Sequence, residues 1–362
     1  MFDKLSNILS KFKYSPEYRP ALRYAFGSSL IMALVMLTGA ELGYIIPMLA
    51  LNFLGPGSVQ PGVKQSVGFV LIVAASSIFA YIFTAFFYDY MLIYIPLLAL
   101  ILIWVYYTTA ISMVTKLFLL ISLLASPVPI PGMDIKTWSF ILAGTLTTGA
   151  VFTIIVVWIV FALFPDRKMD KPGQKVKKAP PANSVPKDIR LQNALKIFLV
   201  TFPVVLLFIF FQGGNALLVL IYIVILAMLP RSAGRMAGKG KIYGNIIGGL
   251  VTIFFYEILT IVPNFFFFIM LFLGTALLFS EIVFAGKSYS VLFKTGFSTL
   301  TLIIGSTTNS TDNAANEIWL RIFQVMLAVI YVVGAYYILD AFMLKQLHRH
   351  ERFYNRKIVT KT

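Results

Sequence analysis

The side chains best suited to chemistry in this chain are a few ionisable groups set inside long apolar runs. Lys116 stands in the segment 111–120 (ISMVTKLFLL) and Lys294 in 290–298 (SVLFKTGFS). An ammonium facing lipid costs about 2.5–3.5 kcal/mol. Each lysine must therefore either snorkel to the headgroups along its flexible stem or face water or an anion inside a helix bundle. Two at equivalent depth, about 8–10 Å inside the bilayer, would form a ring of positive charge that draws an anion into a hydrated pathway. Glu281 lies at similar depth on the preceding apolar run and could neutralise Lys294, whereas 103–107 hold no acid. Lys116 is accordingly the stronger substrate-binding candidate. Burial raises a carboxylate pKa and suits it to proton exchange, which makes Glu257, Glu281 and Asp340 the proton-coupling candidates. Their alternative is an interfacial position with water in reach.

Two apolar runs are short. The run 42–54 contains Pro47 and Asn52 and ends in Gly55-Pro56-Gly57; the run 215–229 opens on Asn215 and ends at Pro230. Short or interrupted helices at corresponding positions of two repeats point to a binding site near the bilayer midplane, so Pro47, Asn52 and Asn215 join the substrate-binding candidates. The alternative is a pair of ordinary spans that extend beyond their most apolar stretch. No GxxxxGK[ST] loop is present, there is no cysteine to act as nucleophile or thiolate ligand, and both histidines, His348 and His350, fall in a basic tail. The sequence predicts no catalytic residue, no metal site, no cofactor and no enzyme activity.

The elements that position these residues follow from the solvent. The 362 residues are 59% hydrophobic and 12% charged, with a mean hydropathy of +0.87, too little polar surface to cover a water-soluble globule. Apolar runs punctuated by Gly, Pro and charge predict twelve spans, near 21–39, 42–54, 66–87, 91–107, 109–125, 137–164, 189–211, 215–229, 242–262, 264–285, 289–305 and 319–343. The stretch 91–125 is almost unbroken and would make about 52 Å of helix, so it must fold back, most simply at Tyr106-Tyr107-Thr108-Thr109. Residues 1–19 lack a continuous apolar run and a small-residue cleavage site, and read as a cytoplasmic amphipathic segment.

The net charge of +16 would suggest nucleic acid in a soluble protein, but the cations lie between the spans. Eight Lys and Arg fall in 165–190, four in 231–241, five in the first 23 residues and six after Met343. Every strongly basic connection follows an even-numbered span, which places both termini and the linker 165–188 in the cytoplasm. The bilayer, rather than nucleic acid, is the expected partner. The Pro- and Lys-rich linker also divides a repeat. A shift of 174 brings Ala40 onto Gly214, Pro56 onto Pro230 and Asp89 onto Pro263; a shift of 178 brings Lys116 onto Lys294, and 181 brings Trp138 onto Trp319. The expected fold is an all-α polytopic membrane protein with about twelve transmembrane helices. They form two parallel six-helix repeats, 20–164 and 189–343, related by a pseudo-two-fold axis along the membrane normal, and a basic tail, 344–362, follows.

Three stretches carry a family resemblance: Arg19-Pro20-Ala21-Leu22-Arg23, Gly43-Tyr44-Ile45-Ile46-Pro47-Met48-Leu49-Ala50, and Arg235 leading into Tyr243-Gly244-Asn245-Ile246-Ile247-Gly248-Gly249. With them the chain resembles the fusaric acid resistance (FUSC-like) superfamily, which includes aromatic acid exporters and is similar to the plant aluminium-activated malate transporters. The chain lacks the large soluble region of longer members and resembles the compact, membrane-only branch. In the malate-transporter relatives two six-span subunits share one pore with basic residues from the fifth span, the span that here holds Lys116 and Lys294. The resemblance implies export of organic, in particular aromatic, carboxylates across a bacterial inner membrane. The implied partners are a periplasmic membrane-fusion adaptor, an outer-membrane channel and further copies of the chain. A passive organic-anion channel and a non-transporting assembly subunit of an envelope complex are the alternatives.

Overall fold

The computed structural model of the chain describes residues 18–39, 43, 45–108, 113–128, 130, 132–165, 187–211, 217–228, 234–287, 289–307, 319–320 and 323–339. Among them are twelve helices and no strand: α1 (Arg19–Thr38), α2 (Ile45–Leu54), α3 (Val63–Phe87), α4 (Met91–Tyr107), α5 (Met113–Ala125), α6 (Ile135–Leu163), α7 (Lys187–Phe210), α8 (Leu217–Met228), α9 (Gly234–Ile261), α10 (Phe265–Phe284), α11 (Ser290–Thr307) and α12 (Phe323–Leu339). Six of them, α1, α3, α6, α7, α9 and α10, contain stretches long and apolar enough to cross a membrane. They leave broad apolar faces uncovered, with Phe86 70%, Phe266 69% and Phe254 68% exposed. Water would not tolerate so much contiguous apolar surface. The chain is a helical membrane protein.

Local chemistry sets the helix ends. Pro20 sits in the first turn of α1, where its missing N–H is no loss. The same helix stops at Gly39, which takes the left-handed conformation at φ 56° and donates its N–H to Met36 O. Asp134 caps α6 by accepting from the N–H groups of Lys136 and Thr137, at 3.0 and 3.3 Å, and Asn264 caps α10 by accepting from Phe266 N at 2.8 Å. The long apolar stretch folds back where expected: α4 ends at Tyr107, and Thr108 turns to extended backbone at ψ 137°. The next helix begins only at Met113, and α9 starts at Gly234, eight residues before the predicted span. Pro47 is the third residue of α2, so it opens that helix rather than breaking it.

Length and burial sort the helices into two layers. Three of the short ones lie at the centre: α8 is buried at Leu217 and at every residue from Val219 to Ala227, and α5 at every residue from Leu120 to Ala125. In α11 the residues Thr299–Ser306 are likewise all buried. A helix that is apolar and buried all round can only be a core element. Between the first six helices and the last six, α1 packs on α10 and α4 on α7, while α2 packs on α11 and α5 on α8. Exchanging the halves, by adding six to each helix number up to six and subtracting six from each above it, turns the α1–α10 contact into α7–α4 and the α2–α11 contact into α8–α5. Polar side chains tie these layers together. Tyr106 of α4 and Thr201 of α7 are hydrogen-bonded at 2.9 Å, Tyr331 of α12 donates to Val200 O at 2.9 Å, and Tyr336 donates to Ala227 O at 2.8 Å, near the carbonyl end of α8.

Candidate functional site

Because α5 begins at Met113, Lys116 is its fourth residue, about 4.5 Å along the axis from the helix start. Its Nζ donates to the carbonyl of Thr108, the residue that caps the end of α4. Lys116 is therefore a strap across the α4–α5 turn, answering a carbonyl that the end of a helix leaves without an intrahelical partner.

Lys294 is differently placed. It is the fifth residue of α11, half-buried, and it reaches across the contact with α2. A Cβ built on Gly55 would lie 3.2 Å from Lys294 Nζ and 3.1 Å from Leu51 O, so the ammonium rests against a glycine backbone at the carbonyl end of α2. The helix dipole is negative there. The expected pairing of Lys294 with Glu281 is not formed: Glu281 is on an exposed face of α10, and the ion pair seen between described residues, Lys136–Asp89 at 3.0 Å, involves neither. Lys294, not Lys116, is the ammonium that stands free of a local cap, beside the Gly55-Pro56-Gly57 break.

The remaining candidates are dispersed. Pro47 is buried in the first turn of α2, while Asn52, one turn before Gly55, is exposed and has an interaction partner. Glu257 is exposed on α9. Asn215 and Asp340 lie outside the described residues. The structure brings Lys294 together with the end of α2, and among the described residues no acid pairs with it.

A polar cluster that charge and spacing do not single out lies deeper. Tyr222 of α8 and Thr299 of α11 both reach the side-chain oxygen of Asn245 on α9. The two hydroxyls are 2.7 Å apart, and Thr299 Oγ1 is 2.6 Å from Asn245 Oδ1. All three side chains are buried, and Asn245 Nδ2 has no acceptor within hydrogen-bonding reach. The close approach of α9 to α11 makes this possible. A Cβ on Gly248 would come within 2.4 Å of Gly296 O, and one on Gly244 within 2.6 Å of Leu292 O. The glycine run 244–249 reads from the sequence as a packing device, and it is one; the signal for the cluster was the single Asn inside that run. Five residues separate Thr299 from Lys294, about 140° around α11, so the cluster and the ammonium occupy different faces of the helix.

The N-terminal end of α1 is held by charge. Arg19 donates to Pro165 O at 2.7 Å and Arg23, 3% exposed, to Phe164 O at 3.4 Å, with its guanidinium 4.2 Å from the Phe161 ring centroid. Two residues of the Arg19–Arg23 motif therefore answer the last carbonyls at the end of α6 and stack on its final turn.

No protein-family model, no curated protein and no solved structure matches the chain.

Proposed function

We propose that the chain is a bacterial inner-membrane exporter of organic carboxylates, aromatic ones above all. In this reading it consists of two parallel six-helix repeats of the FUSC-like kind, with both termini in the cytoplasm. The observation that carries the proposal is Lys294, an ammonium half-buried where α11 of one half meets the end of α2 of the other. No carboxylate of the described residues pairs with it. An exposed surface lysine would give up little by leaving that place, whereas a partly desolvated one is stabilised by any anion that arrives. The repeat reading is supported by the helix contacts between the halves, which recur when six is added to the lower helix number and subtracted from the higher. It is also supported by the short, buried second and fifth helices of each half. Basic loops on one side support the cytoplasmic termini, and the resemblance supports a membrane-fusion adaptor as partner.

The test is flux in proteoliposomes containing only this chain, loaded with radiolabelled benzoate. Efflux that saturates, exceeds that of empty vesicles and is competed by other aromatic carboxylates is the expected result. Non-saturating conductance would assign a passive channel, and absence of any flux an assembly subunit. Reporter fusions at Ser184 and Asn309 should fall on opposite sides of the membrane, and the same side for both would remove the twelve-span arrangement.

A further inference from the structure

Away from Lys294, the Tyr222–Asn245–Thr299 cluster contains a group that the protein itself leaves unanswered. A primary amide carries an acceptor oxygen and a two-proton donor nitrogen on the same carbon. In Asn245 the oxygen accepts from the hydroxyls of Tyr222 and Thr299, and Nδ2 is buried without a partner. Turning the amide over does not remove the deficit. The nitrogen would then meet the two hydroxyls and the oxygen would take its former place, in a helical core whose backbone N–H groups are already spent on intrahelical bonds. Either way one polar atom of the amide is out of water and without a protein partner, a cost that native interiors meet with a hydrogen bond. The position favours a neutral ligand. Tyr222 is the sixth of the twelve residues of α8 and Thr299 the tenth of the eighteen of α11, so the cluster lies about half-way along both core helices. A cation would suit only the amide oxygen and an anion only the N–H groups, and the cluster has no charged side chain to compensate either. Water both donates and accepts. Acceptors for its own protons are close by, because α9 and α11 touch through their backbones: Leu292 O lies 2.6 Å from a Cβ on Gly244, and Gly296 O 2.4 Å from one on Gly248. Gly244 precedes Asn245 and Gly248 follows it by about one turn, so these two carbonyls face α9 on either side of Asn245, each with a lone pair beyond its helix bond.

We infer that Asn245 binds a single ordered water at the junction of α8, α9 and α11. The water answers the amide atom that the two hydroxyls do not reach and passes its own protons to α11 carbonyls. It thereby adds a second link between α9 and α11 to the direct contact of Thr299 with Asn245. Tyr24 shows the contrast. Its hydroxyl is also buried without a partner, but its ring is flanked by Phe284 and Phe297, with centroids 5.8 and 5.5 Å away, and these offer a water no second hydrogen-bonding group. This inference does not depend on what the chain transports.

Hydroxyl-radical labelling of the intact protein in lipid nanodiscs tests it. An X-ray pulse makes radicals within bound water as well as in bulk, and they react before they travel far, so a buried tyrosine ring is oxidised only where water lies beside it. Tyr222 is the oxidisable ring of the cluster and should gain an oxygen in the wild type. Tyr94, of the same reactivity, is fully buried with its hydroxyl 3.5 Å from that of Thr84, and it should stay unlabelled. That comparison needs no variant. In Asn245→Leu the Tyr222 label should be lost, while Tyr90, 65% exposed, keeps its own and the helical circular dichroism is unchanged. An unlabelled Tyr222 in the wild type would mean that the cluster is dry. Equal labelling of Tyr222 and Tyr94 would mean a generally wet interior with no particular site, and a Tyr222 label surviving in folded Asn245→Leu would mean that other groups hold the water; each of these overturns the inference.

Discussion

Lys116 and Lys294 occupy the same helix of the two halves and look alike in the sequence, yet the structure gives them different work. Lys116 turns back on its own half and caps α4 through Thr108 O, eight residues away. Lys294 leans out of its half and rests on Gly55 at the end of α2, which belongs to the other. The pair shows that equivalent charge at equivalent sequence positions does not imply equivalent use. A lysine whose ammonium is consumed by a local carbonyl is a structural strap. A lysine at the meeting point of two halves, paired with no described carboxylate, is the one that the proposed anion pathway would use.

The largest effect expected from this contrast is on flux. Lys294→Ala should lower benzoate efflux about tenfold, the loss of one charged hydrogen bond to substrate. Lys294→Arg should recover part of it, because the charge returns without the geometry. Unchanged flux in a folded Lys294→Ala protein would make Lys294 a mere cap on α2.

Next comes the seam that holds α11 in place. Gly248→Ala would put a methyl 2.4 Å from Gly296 O, a backbone atom that cannot swing away. We expect a loss of about 1–3 kcal/mol in detergent stability and a matching fall in flux as Lys294 shifts with its helix. Gly274→Ala, where nothing lies within 4 Å, is the control. Equal melting temperatures for the two variants would mean that α9 and α11 are less closely packed than these contacts require.

A smaller effect is expected at the other lysine. Lys116→Ala should reduce stability by about 1 kcal/mol, the worth of one hydrogen bond, and leave flux within about twofold of wild type. A tenfold flux loss with normal stability would reverse the contrast. The smallest effect is expected at Glu281, exposed and unpaired with Lys294: Glu281→Gln should leave both flux and stability unchanged, and a change in flux would restore a long-range coupling between the two.

Much of the helical framework was legible in advance because hydropathy and punctuation act locally. The turn at Thr108, the stop at Gly39 and the shortness of α2 and α8 all follow from residue types within a few positions of each boundary. The start of α9 at Gly234 was not legible, since its first turns are basic and carry no apolar signal. At the site the reading was weaker. Depth and nearby acids ranked Lys116 above Lys294, but a later helix start at Met113 brought Lys116 within reach of a free carbonyl. The Tyr222–Asn245–Thr299 cluster escaped because its three members come from three helices and none is charged.

By itself the sequence determined that this chain belongs in lipid and where most of its helices run, because transfer free energy is a sum over neighbouring residues and needs no knowledge of the fold. Only the tertiary structure decided which lysine is spent and which is free. A flexible four-carbon side chain takes whichever acceptor lies within its reach, and that depends on how a helix is rotated and what packs against its first turn. The same holds for the buried amide of Asn245, whose neighbours on α8 and α11 reach it only when the three helices pack.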